Sequence, residues 1–182
     1  MISIEKKQYY LTSALVIVLF GGISFFFLPM VLQDIMYRTT STWFIQTPSV
    51  VIKLYFVTIA CWAIASLLIY FFWKKAIIPS ILLFIAGLIV IVLSVNNYQL
   101  MSDNHIAWSE LKTFEEKSYS WSEVNELQSI PNENGKGYTI KVNFSDGESI
   151  AFKRDTNFNA NYWRLQEKMV EHNLPFVGVE QE

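Results

Sequence analysis

Three uncharged apolar runs in the first half of the chain constrain its fold more than any other feature. They are Leu11–Leu32, Leu54–Trp73 and Ala76–Val95. A helix needs about 20 apolar residues to cross a hydrocarbon core about 30 Å thick, and each run is long enough. Helices that are apolar on every side must be covered, and residues 98–182 are too few to cover three of them in water. The expected architecture is therefore a three-span membrane region over residues 1–97 with spans near 11–32, 54–73 and 76–95. Residues 98–182 are expected to form a separate extramembrane domain.

Composition supports the division. Hydrophobic residues make up 52% of the chain and charged residues only 16%, against about 25% charged in an ordinary soluble domain. Residues 1–97 carry six Lys/Arg against two Asp/Glu, and residues 98–182 carry eight against fourteen. Cys61 is the one cysteine, which excludes a disulfide scaffold. Lys6 and Lys7 ahead of an apolar run resemble the start of a signal peptide. The run is too long for one, and no A-x-A-like site follows, so a retained span is expected.

Lys and Arg near span ends tend to remain cytoplasmic. Lys6-Lys7 and Lys74-Lys75 fall on one side if the N-terminus is inside, which leaves the Asp34–Val50 loop and the C-terminal domain outside. A connection as short as Lys74-Lys75 makes the second and third spans antiparallel neighbours. Small residues let membrane helices approach closely. Ser80, Gly87 and Ser94 recur every seven residues on the third span, and Cys61 and Ala65 lie four apart on the second. These five are the candidates for helix packing, within the chain or in a homo-oligomer. Gly21-Gly22 and Pro29 in the first span permit a bend or a close contact, and are equally consistent with ordinary membrane-helix composition. The deep positions hold Ser, Thr, Cys and Trp rather than the ionisable groups of proton and ion pathways.

The remainder reads as a small α+β domain. Tyr138, Ile140, Val142 and Phe144 alternate with polar residues, the period of a half-buried strand. Asp146-Gly147 follows as a hairpin turn, and Ile150 and Phe152 restart the alternation. Ser118–Trp121 and Val124–Ile130 are further strand candidates, and His105–Phe114 holds one or two more. Asn132–Gly137 is a turn. A helix is expected from about Ala160 to His172, capped by Asn159, with Tyr162, Leu165 and Met169 on its apolar face. Leu174–Val179 is expected to end extended.

This order of strands, with Tyr119-Ser120-Trp121-Ser122-Glu123-Val124, Phe144-Ser145-Asp146-Gly147 and a terminal amphipathic helix, resembles bacterial pleckstrin-homology-like domains. The resemblance implies a curved antiparallel sheet closed by the last helix. It implies no enzymatic activity and no fixed ligand.

Chemistry is sparse. His105 and His172 are far apart and Cys61 lies in a span, so neither transition-metal spacing nor a Cys/His pair is present. Asn134-Gly135-Lys136-Gly137 lacks the first glycine and the hydroxyl of a phosphate-binding loop. Glu115-Glu116 and Glu123/Glu126 read as solvated carboxylates. No catalytic, cofactor-binding or metal-ligating residue is singled out, and no cofactor is expected. A net acidic domain is a poor nucleic-acid binder. The expected function is that of a non-enzymatic, multi-pass protein of the cell membrane. Its partners would be the lipid bilayer and a protein or peptide bound by the C-terminal domain, through Trp108, Trp121 or Trp163. The alternative is an auxiliary subunit of a transporter or other membrane complex, assembled through the Ser80/Gly87/Ser94 face.

Overall fold

The computed structural model describes residues 4–111, 115–132 and 137–178. The chain forms two compact units. The first comprises Met1–Met36, Thr47–Tyr98 and Glu110–Phe114, and the second comprises Tyr37–Gln46, Gln99–Ser109 and Glu115–Glu182.

The first unit holds α1 (Ile4–Tyr37), α2 (Ser49–Phe72) and α3 (Ile77–Val95). By length and composition α2 and α3 are each able to cross a membrane, and α1 makes a third span if its two segments count as one. Those segments, Gln8–Ser24 and Phe27–Tyr37, differ in direction by 59°. Pro29 accounts for the break, because its ring removes one N–H and collides with the carbonyl four residues back, at Phe25. A single 3-10 turn, Trp73–Ala76, joins α2 to α3. Many apolar side chains of α3 are uncovered: Ile78, Leu82 and Val92 are all more than half exposed.

The second unit holds two four-stranded sheets and a helix. Strands β1 (Thr42–Gln46), β2 (Tyr98–Ser102), β3 (His105–Ser109) and β4 (Glu116–Ser120) lie in that order in one sheet. The other has the order β7 (Ser149–Lys153), β6 (Tyr138–Phe144), β5 (Val124–Pro131), β8 (Phe176–Val177). β1 with β2, β3 with β4, β5 with β6 and β6 with β7 pair antiparallel, whereas β8 runs parallel to β5 with Leu127 opposite Phe176. The Asp146-Gly147 turn joins β6 to β7 as expected, with Gly147 at φ +88°.

Three expectations need correction. Asp34–Val50 is not simply a loop. It contains the end of α1 and the whole of β1, which pairs with β2 through Phe44↔Met101, Ile45↔Leu100 and Gln46↔Gln99. The signal was weak because Thr42-Trp43-Phe44-Ile45-Gln46 is buried along nearly its whole length and shows no two-residue alternation. The last helix, α4 (Thr156–Glu171), starts about a turn before Ala160. Asp155 rather than Asn159 caps it, its carboxylate accepting from Phe158 N at 2.8 Å. Asn159 bonds Arg154 instead. Trp108 and Trp121 are core residues, and of the three tryptophans considered for binding only Trp163 is exposed. His105–Phe114 supplies one strand in its described part, while residues 112–114, the middle of the Asn132–Gly137 turn and Val179 lie outside the described residues.

The core of the second unit draws on both sheets and α4. Phe44 of β1 stands edge-on to Phe158 of α4 at 5.2 Å and to Phe152 of β7 at 6.1 Å. Trp43 stacks on Trp121 at 6.5 Å, and Trp121 Nε1 donates to Ser102 O at 2.9 Å. Leu165 is fully buried among the same side chains. The buried side chain of Gln46 then acts as a short piece of strand. Its Nε2 donates to Lys153 O at 2.7 Å and its Oε1 accepts from Lys153 N at 2.8 Å.

Candidate functional site

A seven-residue step returns a side chain to nearly the same face of a helix, because 3.6 residues make a turn. Ser80, Gly87 and Ser94 accordingly share one face of α3, and all three are buried. The face is turned to α2. Ser80 Oγ donates to Ala65 O at 2.9 Å, Thr58 Oγ1 to Gly87 O at 3.4 Å and Trp62 Nε1 to Phe84 O at 3.2 Å. Gly87 is needed for the last contact. A Cβ placed there would lie 2.3 Å from Trp62 Nε1. Trp62 also stacks on Phe84 at 5.2 Å. Ser94 turns its hydroxyl back to Val90 O at 2.6 Å.

Of the two residues singled out on α2, Ala65 belongs to this seam, whereas Cys61 is a half-buried free thiol. Val51 and Thr58 were missed. They lie two heptads and one heptad before Ala65, respectively, and are buried with it, so the seven-residue step extended backwards along α2 reaches both. Gln33 was missed as well, because it stands just past the end of the first apolar run. It is fully buried. Its Nε2 donates to Asn97 O at 2.6 Å and to Val95 O at 3.5 Å, and Thr47 Oγ1 donates to its Oε1 at 2.7 Å. The side chain thus satisfies carbonyls at the C-terminal end of α3 that have no helical partner.

Among the described residues, open clefts of about 350 Å³ and about 220 Å³ lie between α1 and the α2–α3 pair. Ile17 and Trp62 border both. The larger is walled by Ser13, Ser66 and Phe84 among others, and the smaller by Leu28, Tyr55 and Ile91. Where α1 crosses α2, Gly21 sits so close to Ile59 that a Cβ would meet its side chain at 3.0 Å.

In the second unit the polar clusters are engaged in structure. Ser102 Oγ lies 3.0 Å from His105 Nδ1, but it also accepts from His105 N at 3.0 Å and donates to His105 O at 2.9 Å. Ser102 is fully buried; the pair closes the β2–β3 turn. Glu123 binds back to Ser120 N at 2.7 Å in a capping box, while Glu126 accepts from Asn143 at 2.9 Å. Tyr119 stacks on Phe144 at 4.2 Å and donates to Asp146 Oδ2 at 2.6 Å. That bond to a carboxylate holds the Tyr119 phenol up at about 12 and lowers Asp146. Among the described residues no three His, Cys, Asp or Glu side chains are placed to share a metal ion.

One surface of this unit stands out. α4 buries Phe158 and Leu165, and on its outer side Trp163 is 57% and Val170 78% exposed. Seven residues apart, they share a face. Arg164 lies over the Trp163 ring at 5.0 Å. No protein-family model matches the chain, and no curated protein matches it.

Proposed function

We propose that this chain is a non-enzymatic, multi-pass protein of the cell membrane whose extramembrane unit binds a protein or peptide partner. The observation that carries the reading is the exposed Trp163–Val170 face. The inner side of α4 already fills the core through Phe158 and Leu165, and the largely exposed indole and valine on its outer side lie outside that core. Tryptophan is enriched among the residues that dominate binding energy at interfaces. The pleckstrin-homology-like reading belongs to the same proposal, supported by two sheets and a C-terminal helix whose Leu165 is buried in their common core.

The proposal includes an orientation. Pairing of Gln46 with Gln99 requires both ends of the α2–α3 pair to emerge on one side. Two antiparallel spans meet that requirement. With α1 as a third span, Lys6-Lys7 and Lys74-Lys75 share the opposite side, and the excess of lysine makes that side cytoplasmic. Assembly with another membrane protein through Ser80, Gly87 and Ser94 would need to displace α2 from that face, so no observation favours the alternative.

Site-specific photo-crosslinking in native membranes tests the binding reading. A crosslinker at position 163 should give a discrete protein adduct that one at exposed Ser149 does not. Identical patterns at the two positions would refute it. A reporter fused after Glu182 should be active only outside the cytoplasm, and cytoplasmic activity would overturn the orientation.

A further inference from the structure

The outer face of α4 is a straight stripe. Thr156, Ala160, Trp163, Glu167 and Val170 are all exposed, and they recur at alternating steps of four and three residues, the spacing at which one helix receives the side chains of another. At 1.5 Å per residue the stripe runs about 21 Å along α4. Its centre carries a charge. Glu167 stands between Trp163 and Val170, and no hydrogen bond or ion pair engages its carboxylate among the described residues. The cations of the same helix are held elsewhere: Lys168 pairs with Glu171 at 2.7 Å, and Arg164 lies 3.6 Å from Asp103.

That carboxylate selects the occupant. Covering Trp163 and Val170 also takes Glu167 out of water, and a buried charge without a partner is strongly unfavourable. A membrane surface is a poor match, because hydrocarbon offers no cation and anionic headgroups repel the carboxylate. A second copy of α4, packed antiparallel with Trp163 on Val170, would bring the two Glu167 carboxylates together, which is repulsive. Residues 98–182 carry fourteen Asp/Glu against eight Lys/Arg, so the wider field also favours an approaching cation. We propose, on the binding reading above, that the stripe receives an amphipathic helix whose apolar face carries one lysine or arginine. Its aliphatic side chains pack on Trp163 and Val170, and its cation meets Glu167.

The full chain in phosphatidylcholine nanodiscs, with the photo-crosslinker benzoylphenylalanine in place of exposed Gln166 beside the stripe, tests this. The probe is a synthetic three-heptad helix with leucine at every a and d position except the central a, which is lysine in one peptide and glutamate in the other. Irradiation should label the lysine peptide about tenfold more than the glutamate peptide. Glu167→Lys should reverse the preference, with an unchanged melting midpoint because the position is exposed. Trp163→Ala should cut labelling of the lysine peptide about tenfold. No labelling of the lysine peptide, equal labelling of the two, a preference that survives Glu167→Lys, or an adduct to lipid or to a second chain in place of the peptide would each overturn the proposal. If position 163 still crosslinks a discrete protein in native membranes, the binding reading stands and only the cationic helix fails; loss of both adducts removes the binding reading as well.

Discussion

Phe44 lies between α1 and α2 in the sequence, yet the structure makes it a core residue of the second unit. Phe44→Ala tests that assignment. The ring is 1% exposed and meets Phe158 and Phe152 edge-on. Truncating a buried phenylalanine costs about 3–5 kcal/mol, in which the two aromatic contacts are already included. For a domain of this size each kcal/mol moves the melting midpoint by about 4–8 °C, so the expected fall is about 12 °C or more. Thermal unfolding of the full chain in detergent, followed by tryptophan emission, reads it directly, because Trp43 and Trp121 sit in the same core. Trp163→Ala is the control. At an exposed position it should change stability by no more than about 0.5 kcal/mol. Equal midpoints for Phe44→Ala and the native chain would show that residues 37–46 are not part of the folded unit, and the account of β1 would fail with them.

Gly87→Ala should loosen the α2–α3 pair by about 1–3 kcal/mol, since overpacking against Trp62 outweighs any gain in helix propensity; a titration with denaturing detergent measures it, and Trp62→Phe in the same chain should recover part of the loss. Asp146→Asn should return the Tyr119 phenol from about 12 toward 10.0, read from the ultraviolet absorbance of tyrosinate. Because the folded phenol titrates above its unfolded value, the Tyr119–Asp146 bond stabilises fully below pH about 10 and is lost as pH rises through about 12. At the acid end Asp146 titrates below its usual value, so its share is lost only as pH falls through that lowered range. An alkaline transition at the same pH in the Asp146→Asn chain would refute the assignment.

Much of this architecture is legible in the residues. Uninterrupted apolar runs place α2 and α3 to within a few positions, because hydropathy over about 20 residues is a strong signal. The alternation from Tyr138 to Phe144 and the Asp146-Gly147 turn mark one hairpin, and the heptad of Ser80, Gly87 and Ser94 marks the buried face of α3. What escaped is tertiary. β1 carries no alternation because both of its faces are covered, a property of the finished fold rather than of five residues. Asp155 and Asn159 are both good cap residues, and the sequence alone does not distinguish the one that accepts from Phe158 N. Gln33 and Gln46 are ordinary polar residues until distant backbone groups reach them. The exposure of Trp163, on which the functional proposal rests, is likewise invisible in a sequence where every other tryptophan is at least partly covered.

The separation of β1 from β2 along the chain bears on how the protein is made. Strand β1 leaves the ribosome early and then waits while α2 and α3 are synthesised at about 5–20 residues per second. Only when the second of those helices has been synthesised does its neighbour in the sheet emerge. Until then Trp43 and Phe44 have no core to enter, and a nascent chain halted at that stage exposes them to chaperones and proteases. The α2–α3 hairpin is thus complete before the sheet that β1 joins can begin to close.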